Sequence, residues 1–126
     1  MALRPHGNLS VRAVDKEAKV ALCWVKAGEC EQETSIEARK VDMTHVAFEI
    51  TTTCEHIQSL VEALGQVDVG HEMSCRLDET RVYILAAKHV CRNSCVVPAT
   101  ILKAMEVAAG IFLPVDCQIE FVQSTI

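Results

Sequence analysis

The chain has 126 residues, half of them hydrophobic and 23% charged, with a formal net charge of -5. That length suits one domain able to bury a core without disulfides, and that balance excludes a disordered chain. Nucleic acid is excluded as an expected partner, because binding it needs clustered cations to displace counterions from phosphates, and Lys and Arg here occur singly or in short pairs such as Arg39-Lys40.

Residues 1–17, with Pro5 and Gly7 and no sustained periodicity, read as a loosely ordered N-terminal arm. An edge strand over about Leu9–Val14 is the alternative. Residues 18–126 read as a single α+β domain. From Val20 to Lys26 both alternating sets are apolar: Val20, Leu22 and Trp24 on one, Ala21, Cys23 and Val25 on the other. This predicts a strand buried on both faces and central in the sheet. Gly28 and its neighbours break it. Thr34 to Val41 alternates with Thr34, Ile36 and Ala38 facing one way, and His45 to Thr51 with Val46, Phe48 and Ile50 inward. Three strands joined by short turns predict an antiparallel meander.

The period then changes. Ile57, Leu60, Val61 and Leu64 fall at i, i+3, i+4 and i+7, the stripe of an amphipathic helix, with Thr52 and Glu55 at capping-box spacing and Gly65 as the stop. A second helix is predicted over about Glu79 to Val90, capped by Asp78. A third carries Pro98 in its first turn, a stripe of Ile101, Leu102, Met105, Ala108 and Ala109, and Gly110 at its end. Beyond Pro114, Cys117, Ile119 and Phe121 alternate with Gln118 and Glu120, which predicts a last strand over Asp116 to Val122. The order is βββαααβ: an antiparallel meander plus a C-terminal strand, helices on one face, an α+β two-layer sandwich.

Seven cysteines, an odd number, combine with an N-terminal stretch that lacks a secretory apolar core and with apolar runs too short to span a bilayer. The expectation is a cytoplasmic protein whose thiols are free or metal-bound. Cys23 and Cys117, at strand positions among apolar neighbours, read as inert core fillers. Cys30 follows the Gly28 break, Cys54 falls in the first turn of the first helix, and Cys95 shortly precedes the helix of Pro98. A helix N-terminus favours thiolate over thiol. In a meander, the turn after the first strand and the exit of the third share one end of the sheet, which puts Cys30 and Cys54 in reach of each other. Cys95 joins them if the third helix starts at that end.

Thiolates select zinc, copper(I) and iron–sulfur clusters, so Cys30, Cys54 and Cys95 are the candidate metal ligands. Cys91, separated from Cys95 by three residues, and His89 just upstream are secondary candidates. The competing reading makes these cysteines small residues tolerated near turns, with Cys91 at the buried end of the second helix. There is no phosphate-binding glycine loop, HExxH, nucleophile elbow or general base beside a thiol, which argues against an enzyme. Three functional expectations follow: a module binding zinc or an iron–sulfur cluster, a sulfur carrier holding persulfide on Cys95, or an interaction module that pairs with another protein or with itself through the open sheet face.

The last third adds a resemblance. Cys95-Val96-Val97-Pro98, Lys103, Glu106-Val107-Ala108-Ala109-Gly110 and Leu113-Pro114 resemble a small uncharacterised domain family of anaerobic bacteria and archaea. The resemblance implies a Cys-Pro-Val-Pro helix start, a Cys-Gly turn after the first strand and a Ser-x-Cys before the first helix, at the positions of Cys95, Cys30 and Cys54. Val96 stands for the first proline here, Glu31 for the glycine and Thr52 for the serine. It implies the fold and the three thiols, and no activity. Cys95 and Pro98 alone also resemble the Cys-Pro-x-Pro helix start of small sulfur-carrier proteins.

Overall fold

The computed structural model describes residues 20–123 and 125; the arm expected over residues 1–17 lies outside them. Three antiparallel strands, β1 (Val20–Lys26), β2 (Glu33–Lys40) and β3 (His45–Thr52), lead into helix α1 (Glu55–Leu64). A two-residue strand β4 (Val67–Asp68) follows, then a short helix α2 (Val69–Ser74), a 3-10 turn (Leu77–Glu79), helix α3 (Arg81–His89) and helix α4 (Val97–Ala108). The sheet order is β1-β2-β3-β4, antiparallel throughout. Helix α4 packs on β1 and β2, α1 packs on β3, and α3 packs on α1 and α4, which gives the expected α+β arrangement.

Alternation decides which face is covered. Ile36 and Ala38 of β2 and Val46 and Ile50 of β3 are buried, and they join Ile57, Leu60 and Leu64 of α1 with Ile101, Ala104, Met105 and Ala108 of α4 in one core. Each fully buried Ile or Leu contributes about 1.5–3 kcal/mol relative to exposure. Helix ends follow local chemistry. Thr80 Oγ1 accepts the Tyr83 N–H and caps α3, displacing the expected cap Asp78 by two residues. Gly65 (φ 63°) and Gly110 (φ 81°) close α1 and α4 in the backbone region that favours glycine.

Two expectations are corrected. Among the described residues β1 lies at the edge of the sheet and β2 and β3 are interior: apolar residues on both faces signal burial but not what supplies it. The C-terminal strand over Asp116 to Val122 does not form. Residues 113–121 carry no regular structure and are exposed, because alternation gives a segment strand capacity without giving it a ladder partner. The fourth strand is instead Val67–Asp68, paired to His45 and Val46. No helix of the described residues is long and apolar enough to cross a membrane.

Candidate functional site

Two chain reversals meet at the end of the sheet where β1 stops, β2 starts and β3 exits. In the first, Glu31 N–H bonds to Gly28 C=O at 2.8 Å and Ala27 N–H to Gln32 C=O at 3.0 Å, so Cys30 rides on the tip of a tight turn. In the second, Thr52 Oγ1 shares a 2.9 Å hydrogen bond with Thr34 Oγ1 and accepts the Cys54 N–H at 3.1 Å. That use of the Thr52 hydroxyl goes with a helix start two residues on from the expected capping box. Cys54 itself is the N-cap of α1, with no side-chain cap. Thr53 ties the reversals together: its N–H bonds to Glu33 C=O and its hydroxyl accepts the Glu33 N–H at 2.9 Å.

Cys95 arrives from the loop between α3 and α4. Its N–H bonds to Arg92 C=O at 3.1 Å, and the Val97 N–H in the first turn of α4 acts to lower its thiol pKa. Helix α4 starts at Val96 without a side-chain cap and carries proline in its first turn. Its burial against β1 and β2 brings that end down to the two reversals. Cys95 is half-buried and faces a groove of about 470 Å³ that Tyr83, Val90, Arg92 and Pro98 also line.

The electrostatics report who the neighbours are. Burial pushes the Cys95 thiol up from its ordinary value; the Val97 N–H opposes this, and negative charge on Cys54, Cys30 and Cys91 adds to it. The charges of all three thus reach Cys95. Tyr83 is raised by burial and by Cys95. The thiolate preference expected at this helix start is overturned for Cys95, because desolvation and like charge outweigh one amide donor.

The structure thus brings Cys30, Cys54, Cys91 and Cys95 to one end of the molecule. Cys91 is exposed, not the buried end of a helix. His89 closes α3, half-buried. Cys23 is raised to about 11 by burial, with Asp116 adding to the shift, which suits an inert filler. Cys117 is exposed because its strand is not docked. Cys75, raised chiefly by burial, ends α2. Among the described residues, no three His, Cys, Asp or Glu side chains stand close enough together to hold a metal ion as they are.

A second concavity, about 610 Å³, lies at the other end of β3, lined by His45, Asp68, His71, Glu72 and Arg81. Its polar groups serve the fold. Asp68 accepts the His71 N–H, Glu72 accepts the Arg81 and Val82 N–H groups, and Arg81 donates to the C=O groups of Leu64 and Ala63. Sequence reasoning missed Glu72, whose burial depends on the docking of α3.

The chain belongs to a family of unknown function (DUF6951), whose model matches residues 21–121, a span that holds all seven cysteines. No curated protein and no solved structure matches it.

Proposed function

We propose that this domain binds a thiophilic metal, zinc or an iron–sulfur cluster, through Cys30, Cys54 and Cys95, with Cys91 as the fourth ligand. The observation that carries the reading is the grouping of Cys30, Cys54 and Cys91 around Cys95, close enough for their charges to act on it. Two features support it. The set comes from three separate reversals of the chain, and two helix starts without side-chain caps flank it. Their free N–H groups offset part of the negative charge that four thiolates around one metal would carry. Binding then draws the sulfurs to ligand distance, and the pieces that must move, the Cys30 turn and the Cys91 loop, are exposed.

A metal displaces the thiol proton as it binds, whereas a persulfide carrier needs a thiolate beforehand. The raised Cys95 thiol weighs against a free nucleophilic thiolate there, and it also lowers metal affinity by the same proton cost. The anaerobic range implied by the sequence resemblance belongs to the same proposal, since reducing surroundings keep thiols free.

The test is elemental analysis of anaerobically purified protein. One equivalent of zinc, or iron with matching acid-labile sulfide, is expected, with loss in Cys54→Ser and Cys95→Ser. Metal well below one equivalent, or equal loading in those variants, overturns the reading.

A further inference from the structure

Helix α3 presents two stripes of apolar residues. Val82 and Leu85 enter the core. Tyr83, Ala86, Ala87 and Val90, at i, i+3, i+4 and i+7, instead form the floor of the groove of about 470 Å³ beside Cys95. Cys95 and the buried Pro98 line it from the start of α4. Leu77 and Ile84 line it as well, with large apolar side chains that are 63% and 45% exposed. The body of the groove is therefore apolar.

Its charges are of one uncompensated sign. Asp78 also lines the groove, but Arg76 Nε answers it at 3.3 Å. Lys88 and Arg92 have no ion pair or side-chain hydrogen bond among the described residues. Two cations thus border an apolar floor in a chain whose formal net charge is -5. Lys88 also suits the last turn of α3, where the helix dipole favours a cation. Arg92 lies beyond that helix, and the dipole does not account for it. The Tyr83 hydroxyl and the Asn93 amide, which have no hydrogen-bond partner among the described residues, add neutral donors.

We propose that this groove binds a small carboxylate with an apolar body, its head on Arg92 and Lys88 and its body over Ala86, Ala87 and Val90. A guanidinium fork fits a carboxylate with two parallel hydrogen bonds, and an apolar body takes the floor out of water. A cleft of this volume lies in the range of small-molecule sites and takes a ligand of about ten heavy atoms. Free phosphate would leave the floor wet, and a neutral alcohol would leave both cations unanswered. Cys95 is the one residue shared with the metal proposal, and no metal enters the argument, so the two stand or fall separately.

Nuclear magnetic resonance titration of the full chain with octanoate tests the proposal, with octanol as the apolar-only control and inorganic phosphate as the charge-only control. Saturable binding at roughly 0.1–1 mM is expected, with the largest shifts at Tyr83, Ala87 and Val90 and both controls weaker by about tenfold. Lys88→Gln with Arg92→Gln should weaken octanoate about tenfold and leave octanol unchanged. Both side chains are exposed, so circular dichroism should not change. Ala87→Leu, which fills the floor from an exposed helix position, should weaken octanoate and octanol alike. Bound octanoate should also slow alkylation of Cys95 by iodoacetamide and leave Cys117, which does not line the groove, at its own rate. No saturable binding by the full chain overturns the proposal, as do shifts confined to other residues. So does octanoate binding that either control matches or that survives both variants.

Discussion

The Thr53 hydroxyl donates to Gln32 Oε1 at 2.7 Å, joining residues 21 apart in sequence. Gln32 sits two positions after Cys30, and Thr53 one before Cys54. The same hydroxyl accepts the Glu33 N–H, so a single side chain fixes the hairpin turn against the exit of β3. Thr53 thus helps to hold the turn that carries Cys30 beside the helix start that carries Cys54.

Thr53→Val keeps the branched shape and removes both hydroxyl bonds. The expected loss is about 1 kcal/mol of stability in urea denaturation, since the site is exposed and water can replace the partners. Zinc affinity in a competition titration should fall several-fold at unchanged stoichiometry. Unchanged affinity would show that the Cys30 turn needs no tether.

Glu31 holds φ 61°, the one positive value on a non-glycine among the described residues. A side chain there costs roughly 1–2 kcal/mol, and glycine avoids it at the expense of a floppier unfolded chain. Glu31→Gly should therefore raise stability by about 0.5–1 kcal/mol, read as a higher urea midpoint with an unchanged slope.

The raised Cys95 thiol fixes the sign of two pH effects. A folded-state value above the unfolded one favours the protonated thiol in the fold. That contribution to metal-free stability is full below the ordinary thiol range and is lost as pH rises through and past the folded value. Metal binding runs the other way, because each bound thiolate must lose its proton. Zinc affinity should rise with pH, by about tenfold per unit for each proton released, and calorimetry in buffers of different ionisation enthalpy should count those protons. Affinity flat with pH would mean that no protonated thiol is displaced.

What the sequence made legible follows from how local each feature is. Ile36, Ala38, Val46 and Ile50 declare the covered face through period-two alternation, and Ile57, Leu60 and Leu64 declare α1 through a helical stripe. Short turns between antiparallel strands put the Cys30 turn and Cys54 at one end by parity alone. Features that depend on a partner were not legible. Both faces of β1 are apolar, but the pattern is the same whether a strand of the same chain or of another completes it, and residues 116–122 pose the same ambiguity from the other side. The placement of Cys91 and the net upward push on Cys95 depend on how α3 sits, which is tertiary. For the same reason the four thiols were legible as candidates while their mutual distances were not.

The seating of α3 rests on Glu72, whose residue is 6% exposed and whose carboxylate accepts the Arg81 N–H at 2.7 Å and the Val82 N–H at 3.2 Å. These are unpaired donors of the first turn of α3, where the helix dipole also favours an anion. Glu72→Gln keeps one acceptor and loses the charge, and should cost about 1–2 kcal/mol; Glu72→Ala leaves both donors unanswered and should cost about 2–4 kcal/mol. The two costs, measured by urea denaturation, should stand in that order. Because α3 carries Tyr83 and leads into the Cys91–Cys95 loop, a loosened N-terminus should also speed alkylation of Cys95 relative to Cys30, whose turn hangs on β1 and β2. Equal acceleration at both would mean global unfolding, and no acceleration at either would mean that the loop is held by Pro98 and α4 alone.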